Sequence, residues 1–155
     1  MWGIPTLEAL CQAARTQGQD RLALTDTNGL YGAIRFLEVA KHEGLKPILG
    51  AELVHKAHRA VLLAKTPAGY ANLCRLLSAR HEESTFDFIA AVAGYRAGLI
   101  ILSDDLSALK AWRKDSPKDL YVELSPGSDI QEALTFSRDN RLPPVASGTS
   151  QLRRS

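Results

Sequence analysis

Four side chains in the first 60 residues of the chain have the types and spacing to do chemistry. Asp26 lies within the stretch "LALTDTNGLYGA", where an apolar run meets a Gly-bearing turn and then a helical pattern. Glu52 stands next to last in "KPILGAEL", and His55 and His58 follow it at i, i+3 spacing in "VHKAHR". An acid presented at a strand end is where α/β enzymes place catalytic and metal-binding groups. Carboxylates and imidazoles together are the ligand set of zinc and of metal-assisted hydrolysis. Each has an ordinary alternative. Asp26 can orient the turn before the next helix, and histidines in a polar connection are mostly solvated. His42 and His81 stand at helix ends, where a cation suits the helix dipole.

The elements that must carry these residues alternate along the chain. Thr6 caps a helix with Leu7, Leu10, Cys11 and Ala14 on one face, and Gly18 stops it. Strands are expected at 21–25, 46–53, 60–65, 98–103, 119–124 and 143–147. Helices are expected at 30–43, from Pro67 through Leu77, at 86–93, 106–114 and 130–140. Residues 54–59 are expected to be a polar connection. This alternation predicts a mostly parallel α/β sheet or barrel with helices outside. Ala23, Leu24, Ile48, Leu62, Ile100, Ile101 and Val122 are expected in its core.

Composition sets bounds on function. The 155 residues are 45% hydrophobic and 23% charged with a net charge of +2, so no global basic field argues for nucleic acid. No apolar run approaches the roughly 20 residues of a membrane span. Cys11 and Cys74 sit in helical patterns and read as reduced thiols. No P-loop, G-x-S-x-G or C-x-x-C is present. The expected location is cytoplasmic.

Taken together, several stretches resemble one family. "LALTDTNGLYGAIRFLEVAKHEGLKPILGAEL", "VLLAKTPAGYANLCRLLSARH", "GLIILSDDLSAL", "LYVELSPG" and "LPPVASGTSQL" are similar, in order, to the PHP (polymerase and histidinol phosphatase) domain of bacterial DNA polymerase III alpha subunits, nearest its error-prone, DNA-repair branch. The resemblance implies a PHP-type (βα) barrel with ligands at the C-terminal strand ends. It also implies a cluster of divalent metals, such as zinc or manganese, held by His, Asp and Glu.

Position by position, that ligand set is depleted here. The first strand with its His-x-His motif is missing. Trp2 stands where an acid precedes glycine, and Thr27 replaces the histidine of Thr-Asp-His. Glu52 persists. Arg59 falls where a histidine is expected, and the late Asp-x-His pair reads Thr149-x-Gln151. The expectation is a single domain over residues 1–155, a barrel segment incomplete at both ends. Its metal site is degenerate, it holds no cofactor, and it has no activity on its own. Glu52 is expected to pair with Arg59, an internal cation in place of a metal. The expected partners are the remaining polymerase domains or replication and repair proteins, with DNA met only indirectly and no membrane. The open edge at 21–24 predicts a homo-oligomer or a covering segment. Two alternatives remain: a stand-alone phosphoesterase using Asp26, Glu52, His55 and His58, and an assembly module that self-associates through open edges.

Overall fold

In the computed structural model, residues 6–82 and 85–146 are described. Six strands form one curled sheet in chain order: β1 (Arg21–Thr27), β2 (Lys46–His55), β3 (His58–Ala64), β4 (Leu99–Ser103), β5 (Leu120–Leu124) and β6 (Pro144–Ala146). The helices are α1 (Leu7–Thr16), α2 (Ala33–His42), α3 (Pro67–His81), α4 (Phe88–Tyr95), α5 (Leu106–Asp115) and α6 (Ile130–Asn140). Their N-termini follow local chemistry. Thr6, Thr66, Asp87, Asp105 and Asp129 each accept a backbone N–H from the first turn of the helix that follows.

The α/β half-barrel expected from the alternation is present, with one correction. β1 and β2 are parallel, as are β4, β5 and β6, but β3 runs antiparallel to both of its neighbours. Residues 54–59 are not a polar connection. Both strands continue to a tight hairpin, with His55 paired to His58 and Lys56 in the left-handed region at φ 55°. Only two residues lie between the strands, so a crossover is impossible and antiparallel pairing follows.

Strand alternation then sorts the side chains onto two faces. Ala51, Leu53, Ala60, Leu62, Leu99, Ile101, Leu120 and Val122 pack beneath α3 to α6, against Leu73, Phe88, Leu109 and Trp112. Leu22, Leu24 and Leu49 continue that layer beneath α1 and α2, against Cys11 and Phe36. The other face carries Thr27, Glu52, Arg59, Val61, Leu102 and Tyr121. Gly50 lies on it as well, where a Cβ would meet Leu62 O at 2.6 Å. Of the expected core, Leu62, Ile101 and Val122 are buried. Leu24, Ile48 and Ile100 are half-buried, and Ala23 on edge strand β1 is exposed. Cys11 and Cys74 are free thiols, Cys11 fully buried and Cys74 half-buried. Burial, then the nearby Glu43 and Glu8 carboxylates, push the Cys11 thiol's pKa up.

Candidate functional site

The C-terminal ends of β1, β2, β4 and β5 meet the start of β3 at one rim, because β3 runs the other way. Arg59 is at its centre. Its Nε donates to Glu52 Oε2 at 2.6 Å, its Nη1 to Glu123 Oε2 at 2.5 Å and its Nη2 to Glu123 Oε1 at 3.2 Å. Asp104 Oδ1 lies 3.8 Å from the guanidinium. Thr27 Oγ1 donates to the other oxygen of Glu52 at 2.8 Å, and Ser125 Oγ to Asp104 at 2.9 Å. The Glu52–Arg59 pair expected from sequence is therefore formed, on one face and across adjacent strands.

Glu123 was not singled out in the sequence. It is 1% exposed, the most buried carboxylate described, and the fork of Arg59 meets both of its oxygens. Such a bidentate pair is the strong form of ionic contact. Its sequence signal was an acid near the C-terminal end of the apolar strand "LYVEL". Burial would lower the pKa of Arg59, but the hydrogen bonds to Glu123 and Glu52, with their charges, more than offset this and raise it. The guanidinium is thus a fixed cation, facing three carboxylates.

The other candidates are placed apart from this centre. Asp26 lies on the helix-packed face, opposite Ala51 in register, and its Oδ2 accepts the Gly32 N–H at 2.8 Å. It orients the turn before α2. His55 and His58 also point to the helix-packed face, away from Glu52. His55 is 7% exposed and meets the ring of Phe86 edge-on at 5.0 Å; no hydrogen-bond partner reaches its Nε2 among the described residues. His58 stacks on Phe88 at 5.2 Å, and its Nδ1 donates to Asp105 Oδ2 at 2.6 Å. The reading of these two as solvated loop histidines is corrected: both belong to strands and pack against aromatic rings. Burial pushes the Asp105 carboxyl up, but hydrogen bonds from His58, Ser107 and the Ala108 N–H outweigh it and hold it below the usual carboxylate range.

The four-residue set Asp26, Glu52, His55 and His58 therefore does not converge. Among the described residues, no group of three or more His, Cys, Asp or Glu side chains is arranged to hold a metal ion. Of the substituted ligand positions, Thr27 and Arg59 are both in the network, while Trp2, Thr149 and Gln151 lie outside the described residues.

Asn28 holds the site from below. It takes φ 55°, its N–H donates to Glu52 O at 2.7 Å, and its Oδ1 accepts the Val54 N–H at 2.8 Å. These bonds bracket Glu52 and tie its strand to the end of β1. Asparagine tolerates the left-handed conformation better than most residues.

Comparison with known proteins agrees with this fold. The fold matches an amidohydrolase from Chromobacterium violaceum, with a TM-score of 0.61 and 14% identity over 99% of this chain and 84% of that one. It equally matches a two-domain protein from Bacteroides vulgatus that contains a predicted PHP-like metal-dependent phosphoesterase, with a TM-score of 0.61 and 12% identity over 98% of this chain and 48% of that one. The PHP domain family matches residues 1–132, and the chain belongs to that family. Among its relatives, the error-prone DNA polymerase of Pseudomonas fluorescens is 32% identical over 94% of this chain. The DNA polymerase III alpha subunit of Treponema pallidum is 32% identical over 68% of it. This chain spans 16% and 11% of those two polymerases. No helix among the described residues is long and apolar enough to cross a membrane.

Proposed function

We propose that this chain is the PHP domain of a DNA polymerase III alpha-like protein, in the error-prone branch, and that its rim is structural rather than hydrolytic. The observation that carries this reading is the Arg59 guanidinium seated between Glu52 and Glu123. A divalent metal needs several oxygen or imidazole ligands at once. Here both oxygens of Glu52 and both of Glu123 already accept hydrogen bonds. A fixed cation would also repel a metal by a few kcal/mol, from roughly 332/εr at an effective ε of about 20. The described residues do not fit a resident metal, and Arg59 supplies the positive charge in its place.

On this reading residues 1–155 act as one domain that supports adjoining polymerase domains in the cytoplasm, without a cofactor of its own. In the described residues the outer edge of β1 pairs with no strand. A neighbouring segment or a second copy covers it, which sedimentation of the isolated chain would check; a monodisperse monomer with that edge bare contradicts it. A second reading, a stand-alone phosphoesterase, draws on the three carboxylates Glu52, Asp104 and Glu123 around one point. Elemental analysis after chelator-free purification, paired with nitrophenyl-phosphate turnover in manganese or zinc, separates the two. The structural reading expects neither bound metal nor turnover, and no rescue by Thr27→His. Stoichiometric metal with turnover abolished in Glu52→Gln would establish the phosphoesterase.

A further inference from the structure

The pole opposite the rim has a different charge character. α5 and α6 both run from the C-terminal end of one strand back to the start of the next, so their C-termini meet at that pole. The two ends are tied together there: Arg113 Nε donates to Asn140 O. Arg96 gathers the turn after α5, donating to Trp112 O, Ser116 O and Lys118 O at 2.8 Å each. Around this junction Lys110, Lys114, Lys118, Arg138 and Arg141 are all exposed.

None of these five forms an ion pair with a described carboxylate. Elsewhere the pattern differs: Arg35 pairs with Glu8, Arg15 with Glu43 and Arg59 with Glu52 and Glu123. The local acids are largely engaged. Asp119 faces Lys65, whose Nζ is 3.4 Å away, and Asp115 acts with Asp119 on Arg96. Asp139 is left against five cations. Helix dipoles account for Arg113, Lys114 and Arg138, which lie in last turns. They do not account for Lys110, a turn earlier, or for Lys118 and Arg141, beyond the helices.

We propose that this pole binds the phosphate backbone of duplex DNA. A single phosphate would call for an enclosed, convergent cradle. Five separate cations carried on two tied helix ends and the turns that follow them suit a rigid line of phosphates. Lys110 and Lys114 are one helical turn apart, about 6 Å along the axis, close to the rise of two phosphate steps of one strand at about 3.4 Å each. Contacts of this kind carry affinity without sequence preference, and they weaken steeply with salt. The inference is independent of what the rim does.

The test is fluorescence anisotropy of a short labelled DNA duplex with the 155-residue chain, from about 50 to 200 mM salt. Lys110→Glu/Lys114→Glu is compared with Lys56→Glu/Arg75→Glu, an equal charge change on the hairpin tip and α3. Both pairs are exposed, and circular dichroism checks that both variants fold. The α5 pair should weaken binding about tenfold or more and flatten the salt dependence by about two phosphates. The control pair should stay within about twofold of the parent. No duplex binding at the lowest salt, equal losses in both variants, or binding of anionic phospholipid vesicles without binding of the duplex would each overturn the proposal.

Discussion

The β2–β3 hairpin carries two chemistries on its two faces. On the helix-free face, Glu52 and Arg59 join Glu123 in an ionic network. On the other, His55 and His58, only three and one residues away, are built into the layer beneath the helices, against Phe86 and Phe88. Strand alternation alone separates them. Residues close in sequence and suited to one metal site were thereby divided between an ion-pair centre and a packed aromatic layer. Proximity along a strand is not proximity in a site.

The largest effect should come from breaking the ionic face. Arg59→Met leaves Glu123 buried and uncompensated, and should destabilise the fold by about 3–5 kcal/mol in urea denaturation. Arg59→Lys should recover part of this, since an ammonium cannot make the forked contact. On the packed face, Asp105→Ala removes both the cap of α5 and the His58 partner, and should cost about 1–2 kcal/mol. That contribution has a defined pH sign. The Asp105 carboxyl is held below its unfolded value of about 3.9. Its stabilisation is therefore present above that value and lost as pH falls through the lower folded one. The advantage of the parent over Asp105→Asn should be full at pH 6 and shrink below about pH 4.

Smaller effects sharpen the contrast. His55→Phe replaces a buried ring nitrogen without a partner by an apolar edge, and should be neutral or stabilising by up to about 1 kcal/mol. A comparable loss on that substitution would show that Nε2 has a partner after all. Arg35→Ala breaks an exposed pair with Glu8 and should cost about 0.2–1 kcal/mol.

The elements were legible wherever patterned apolar runs met turn residues: α6 falls at 130–140 as the pattern predicts, and β1 extends only two residues beyond its expected end. "VHKAHR" was not legible as strand, because its polar residues conceal a period of two that serves two different environments. With it went the direction of β3, the one strand that departs from the mostly parallel sheet expected from the alternation. Glu52 and Arg59 could be paired from sequence because adjacent strands bring them together. Glu123 could not, since it lies 64 positions from Arg59 and only the sheet order places it there. The burial of Asp26 and its hold on Gly32 follow from the turn chemistry of the residues that come after it.

The central claim is that one guanidinium binds the rim together, and a double-mutant cycle tests it most directly. Arg59→Met, Glu123→Gln and the double variant would be compared by denaturant titration, with coupling taken from the departure from additivity. The network predicts a coupling energy of about 1.5–3 kcal/mol. Coupling below about 0.5 kcal/mol, the range of independent sites, would contradict it.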